Sequence, residues 1–195
     1  MGDSLMAANR LKGGSVARVL SKALGTPVKD HSMFGARYFH ILPISGSAGM
    51  RISAQFRGGP WDYVVMNGGG NDLLFGCGCG ACNRMLDRLV SADGSKGAIP
   101  ALVAEIRATG ARVIYTGYLR TPGVTSPVEG CGPLGDKMDA RLAAMAARDD
   151  GVTFLRLADL VKTDGDTSYH AIDLIHPSVK GSRAIASRVL ELLAP

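Results

Sequence analysis

Aromatic residues are scarce in this chain, with five Phe, five Tyr and one Trp among 195 residues. So few rings leave little for stacking nucleic-acid bases or for a broad sugar platform, and Trp61 reads as a core or edge anchor. Acidic residues number 17 against 22 lysines and arginines, a net charge of +5. The cations are scattered, however: Arg10, Lys12, Arg18, Lys22, Arg84, Arg88, Arg141 and Arg148 fall at spacings expected for the wet faces of helices. With no zinc finger, basic helix or aromatic-basic motif beside them, no nucleic-acid partner is expected. No apolar run approaches the length that crosses a bilayer, so no membrane span is expected. Nothing at the N-terminus has the look of a secretory leader. The strand-turn-helix motif Gly-x-Ser-x-Gly is also missing, which argues against the larger α/β-hydrolase fold. Gly76-Cys-Gly78-Cys-Gly80-Ala81 superficially fits a dinucleotide fingerprint. It lies in a cysteine-rich stretch without the acidic residue such a site needs, so no cofactor is expected.

What is present describes one globular domain over residues 1–195. Hydrophobic residues make up 46% and charged ones 20%, enough to build a core without staples. Helical periodicity marks residues 13–24, 98–108, 136–148 and 178–193. A further short helix is expected over residues 50–56. Short apolar runs between polar boundaries predict strands at 63–66, 112–117 and 152–157, and a shorter one at 26–32. Strands alternating with helices predict an α/β fold with a parallel sheet covered on both faces. In such sheets sites form at the carboxyl ends of the strands.

Three short motifs carry chemistry. Gly2-Asp3-Ser4-Leu5 places a serine on a glycine turn, where a helix cap is the ordinary role. Gly69-Gly70-Asn71-Asp72 places an amide side chain just after a predicted strand, although the same residues make good turn chemistry. Asp173 and His176 are three apart, close enough for the carboxylate to fix the imidazole tautomer and leave the other nitrogen as a base. Pro177 biases His176 toward extended backbone at the entry to the last helix. Together the motifs offer a nucleophile, an oxyanion donor, an orienter and a base.

In this order and spacing they resemble the SGNH/GDSL hydrolase superfamily of esterases and lipases, from residue 2 to the final helix. The resemblance implies a flavodoxin-like three-layer α/β/α sandwich with a mostly parallel sheet. It implies Ser4 as nucleophile, Asp173 and His176 as its partners, and Asn71 in the oxyanion hole with the backbone N–H groups of Ser4 and a second-block glycine. Gly35 is the best match for that glycine, ahead of Gly46 and Gly49. The expected activity is hydrolysis of carboxylic esters with short acyl groups, on a small-molecule or carbohydrate substrate. Thioesters and acetylated sugars also lie within the family's range. The resemblance also implies an apolar first strand leading into Gly2, which this chain lacks. The sequence is therefore expected to start late, with that strand or a leader upstream of Met1.

Four cysteines complete the reading: Cys77, Cys79 and Cys82 crowd together and Cys131 lies in a distant loop. Two disulfides, Cys79–Cys82 and Cys77–Cys131, are the expected arrangement, out of three possible pairings. They would favour a periplasmic or secreted location. A zinc site on all four thiolates is the rival. With it goes a rival function, a non-catalytic or zinc/redox protein that keeps the fold.

Overall fold

The computed structural model describes residues 1–193. Its sheet holds three parallel strands in the order β1 (Tyr63–Met66), β2 (Arg112–Thr116) and β3 (Val152–Leu155). Val64 pairs with Val113, and Val113 in turn with Val152. The helices are α1 (Ser4–Ala7), α2 (Val16–Leu24), the single turn α3 (Pro43–Ser45), α4 (Gly70–Cys77), α5 (Asn83–Leu89), α6 (Ala98–Arg107), α7 (Gly132–Ala146) and α8 (Val179–Leu193).

Alternation along the strands sorts these helices into two layers. Val64, Met66, Val113 and Tyr115 enter one core with Leu86 and Leu89 of α5, Ile99 and Ile106 of α6, and Met138 and Leu142 of α7. Ile114 enters the other, with Val65 packed against it, among Leu5 of α1, Leu20 of α2 and Ile185 and Val189 of α8. The result is a three-layer α/β/α sandwich, and apolar residues on both strand faces are what such a sheet requires.

Helix ends follow local chemistry. Ser15 caps α2 by accepting the Arg18 N–H, so the predicted helix starts at Val16. Helix α7 begins four residues before the predicted start because Pro133 sits in its first turn, where a missing N–H costs nothing. The expected short helix near residue 50 is a 3₁₀ turn at Ile52–Gln55.

The predicted strand at 26–32 does not form. Those residues are irregular because no ladder partner lies beside them. Between them and β1 runs a groove of about 620 Å³, lined by Val16, Leu20, Val28 and Val64 among others. Met1 lines this groove, and Gly2 follows at its edge. The Met1 ammonium donates to Val65 O at 2.9 Å, and Gly2 O accepts the Met33 N–H at 3.0 Å. Gly2 itself has φ +135°, and a Cβ there would collide with the Asn67 side chain.

Candidate active site

All three motifs converge at the carboxyl ends of the strands. Ser4 is the first residue of α1, where Asp3 caps the helix by accepting the Leu5 N–H at 3.0 Å. Asn71 sits in the first turn of α4, directly after β1 and Asn67-Gly68-Gly69. His176 lies in the loop before α8. Ser4, Asn71 and His176 line one cavity of about 150 Å³, whose walls include Leu5, Leu73, Leu74, Leu134 and Met138.

His176 is oriented by its neighbour. Its Nδ1 lies 2.6 Å from Asp173 Oδ2, while Asp173 Oδ1 accepts the N–H groups of Ile175 and His176 at 3.0 Å each. Partial burial alone would raise the Asp173 pKa. The ring of His176 and those two amides outweigh it and hold the carboxyl below its ordinary value. The turn places Leu174 at φ +54°, an unfavourable backbone for a branched side chain. Strain of that kind is held by its surroundings and concentrates at functional sites. No hydrogen bond joins Ser4 Oγ to His176 among the described residues, an arrangement often tightened only when substrate is bound.

The Asn71 side chain is set by one hydrogen bond, from Nδ2 to Ala36 O at 3.1 Å, which leaves its second amide hydrogen free. Gly35 adjoins Ala36 in the same turn, at φ +72°. Phe34, before it, lies against His176 with ring centroids 5.4 Å apart. The second-block segment is thus at the site, although the Gly35 backbone is not part of the cavity wall. Gly46 and Gly49 belong to a separate turn beyond α3.

A buried network beneath Ser4 has no counterpart in the sequence reading. Asp3 accepts from Asn67 Nδ2 at 2.7 Å and from Tyr118 OH at 2.5 Å, and Tyr118 OH accepts the Gly70 N–H at 2.9 Å. Burial raises the Asp3 pKa, opposed by these donors, and burial likewise raises that of Tyr118. Asp72 is also buried, and its carboxylate accepts the N–H groups of Tyr38 and Phe39 at 2.9 Å each. Asp3 and Asp72 were visible in their motifs, but nothing in the spacing of Tyr118 or Asn67 marked them.

The cysteines pair differently from expectation. Cys77 bonds Cys82 and Cys79 bonds Cys131, rather than Cys79–Cys82 and Cys77–Cys131. The physical reason is the two helices at 70–77 and 83–89. Cys77 ends α4 and Cys82 caps α5, which brings their Cα atoms to 5.5 Å. Cys79, at φ +59° in the turn between them, is directed toward the 121–131 loop. With all four sulfurs bridged, none is a thiolate available for a zinc ion.

Residues 1–184 match the GDSL-like lipase/acylhydrolase family. The chain belongs to that family. Membership places it among the esterase-type hydrolases and accounts for the motif order. Solved structures agree on the fold. A protein from Slackia heliotrinireducens assigned as an SGNH hydrolase superposes with a TM-score of 0.68 at 22% identity, covering 99% of this chain and 96% of that one. TesA superposes at 0.67 with 22% identity and coverage of 100% and 96%. The acetyl xylan esterase AlAXEase gives 0.59 at 15% identity, with 99% and 97% covered. Among curated proteins no match is found.

Proposed function

We propose that this chain hydrolyses neutral carboxylic esters with short acyl groups through an acyl-enzyme on Ser4. The observation that carries the reading is one apolar cavity lined by Ser4, Asn71 and His176, with His176 held by Asp173 at 2.6 Å. In this mechanism His176 Nδ1–H donates to Asp173, so Nε2 is the base that takes the Ser4 proton. Ser4 Oγ attacks the ester carbonyl, and Asp173 stabilises the imidazolium that forms. Charge developing on the carbonyl oxygen is met by Asn71 Nδ2 and by the N–H of Ser4, the two donor residues that line the cavity. The first N–H groups of a helix lack intrahelical acceptors, so the Ser4 amide is free for that task. His176 then protonates the leaving alcohol, and a water activated by the same nitrogen releases the acid.

Cavity size supports the acyl preference. An apolar cavity of roughly 150 Å³ accommodates a ring of six carbons, so an acyl group of about four to six carbons fits. The cavity's one cation favours neutral esters: Arg120 is already paired with Asp136 at 2.9 Å and Asp139 at 2.7 Å.

The test is a chain-length series of chromogenic esters combined with a fluorophosphonate probe. Ser4→Ala is expected to abolish turnover and labelling, and Asn71→Ala to lower turnover by about 100- to 1000-fold. Butyrate and hexanoate are expected to exceed octanoate. Full activity in Ser4→Ala overturns the proposal.

A further inference from the structure

Residues 31–61 contain no Asp or Glu, yet carry Arg37, Arg51 and Arg57, in a chain with 17 acidic residues elsewhere. The same stretch projects Ile41, Leu42 and Ile44, which are 84%, 60% and 87% exposed. Three adjacent aliphatic side chains in water, at the tip of one loop, are an unusual allotment for a surface.

The tip is held rather than trailing. Asp72 anchors the backbone at Tyr38 and Phe39, and the Arg51 guanidinium donates to His40 O at 3.4 Å. The His40 ring is bonded to Ser45 Oγ at 2.8 Å, and Ser47 Oγ donates to Pro43 O at 2.9 Å. Arg88 of α5 stacks over the Phe39 ring at 4.0 Å, adding a cation from outside the loop. Arg37 and Arg51 are bridged through their backbones, so both stand at the base of the tip. The segment leading into the loop also reaches His176, since Phe34, itself 55% exposed, lies against that ring.

We propose that the 37–51 loop docks on an anionic lipid surface. Ile41, Leu42 and Ile44 enter the boundary between headgroups and acyl chains, while Arg37, Arg51 and Arg88 meet lipid phosphates. A protruding aliphatic tip over a cationic base is the arrangement that lies in a membrane interface. A protein partner fits less well, because interface cores are built on aromatic anchors seated in pockets, and this tip has neither. Docking brings the mouth beside Phe34 and His176 toward esters presented at the surface. That consequence rests on the hydrolase reading, whereas the binding does not.

The experiment is co-flotation with vesicles of phosphatidylcholine alone or mixed with phosphatidylglycerol. Binding is expected to the mixed vesicles at low ionic strength and to fall as salt screens the arginines. The double variant Ile41→Ser/Ile44→Ser is expected to bind at least about tenfold more weakly, a loss of about 1.4 kcal/mol, with unchanged hydrolysis of a water-soluble butyrate ester. Ser4→Ala is expected to bind as the parent does, so loss of activity and loss of docking are read separately. Equal flotation of parent and double variant, or no binding to mixed vesicles at low salt, overturns the proposal. So does a parent that is dimeric without vesicles and a double variant that is monomeric, which would assign the tip to a second copy.

Discussion

Asp3 is the residue on which the first motif depends, and Tyr118 is the residue that holds it. The Tyr118 hydroxyl donates to Asp3 and accepts the Gly70 N–H, tying the Ser4 turn to the Asn71 turn. Gly70 is required there because a Cβ would press against the Tyr118 ring at 2.7 Å. Tyr118→Phe keeps the ring and removes both hydrogen bonds, leaving a buried carboxylate short of a donor and an amide without its acceptor. Stability is expected to fall by about 1–3 kcal/mol. If Tyr118 positions the nucleophile, kcat also falls, by about tenfold for a misalignment worth 1.4 kcal/mol, while KM for a short ester stays level. A lower Tm with kcat unchanged would make Tyr118 structural only. Ser4, Asn71, Asp173 and His176 were legible as candidates because each sits in a short motif, and the three-residue spacing of Asp173 and His176 encodes their contact. Tyr118 and Asn67 were not, since they lie 115 and 64 residues from Asp3 and meet it only once the chain is folded.

At the scale of elements, the Cys79–Cys131 bridge connects the turn between α4 and α5 to the loop before α7. Cys79, Val128, Glu129 and Cys131 all line the cavity that Ser4 and His176 share, so the bridge closes one of its walls. It spans 52 residues, against five for Cys77–Cys82. By loop-closure entropy the longer bridge contributes about 4 kcal/mol and the shorter about 2. The Cys79→Ser/Cys131→Ser variant is therefore expected to melt lower than Cys77→Ser/Cys82→Ser. It is also expected to raise the octanoate-to-butyrate rate ratio, because the wall carrying Val128 loosens. An unchanged ratio would remove the bridge from acyl selection. The long helices were readable from their period and ends, α6 and α8 to within a residue or two. The pairing of the cysteines was not, because it depends on α4 and α5. Each is under nine residues, too short for periodicity to separate from a loop.

At the scale of the whole molecule, the described sheet is bordered by a groove instead of by another strand on the β1 side. Into that groove goes the terminal amino group. The Met1 ammonium makes the hydrogen bond a strand amide would make, to Val65 O, but burial lowers its pKa from 8.0 to about 6, with Asp30 raising it and Arg10 lowering it. A chain beginning at Met1 therefore binds fewer protons at this group when folded than when unfolded, across the interval from pH 6 to 8. Stability rises with pH wherever the unfolded state holds more protons, so this group penalises folding fully below pH 6 and not at all above 8. Two pKa units correspond to about 3 kcal/mol. The measurement is urea unfolding at pH 6 and at pH 8.5, for the chain and for a variant with one residue added before Met1, both verified intact by mass. The addition turns the ammonium into an amide that keeps the bond to Val65. Asp3, Asp72 and Asp139, whose pKa values burial raises, and His170, whose pKa burial lowers, are common to both proteins and cancel in the comparison. The added residue is expected to stabilise at pH 6 and to leave pH 8.5 nearly unchanged. Equal stabilisation at both would mean that new contacts in the groove, and not the buried charge, are responsible.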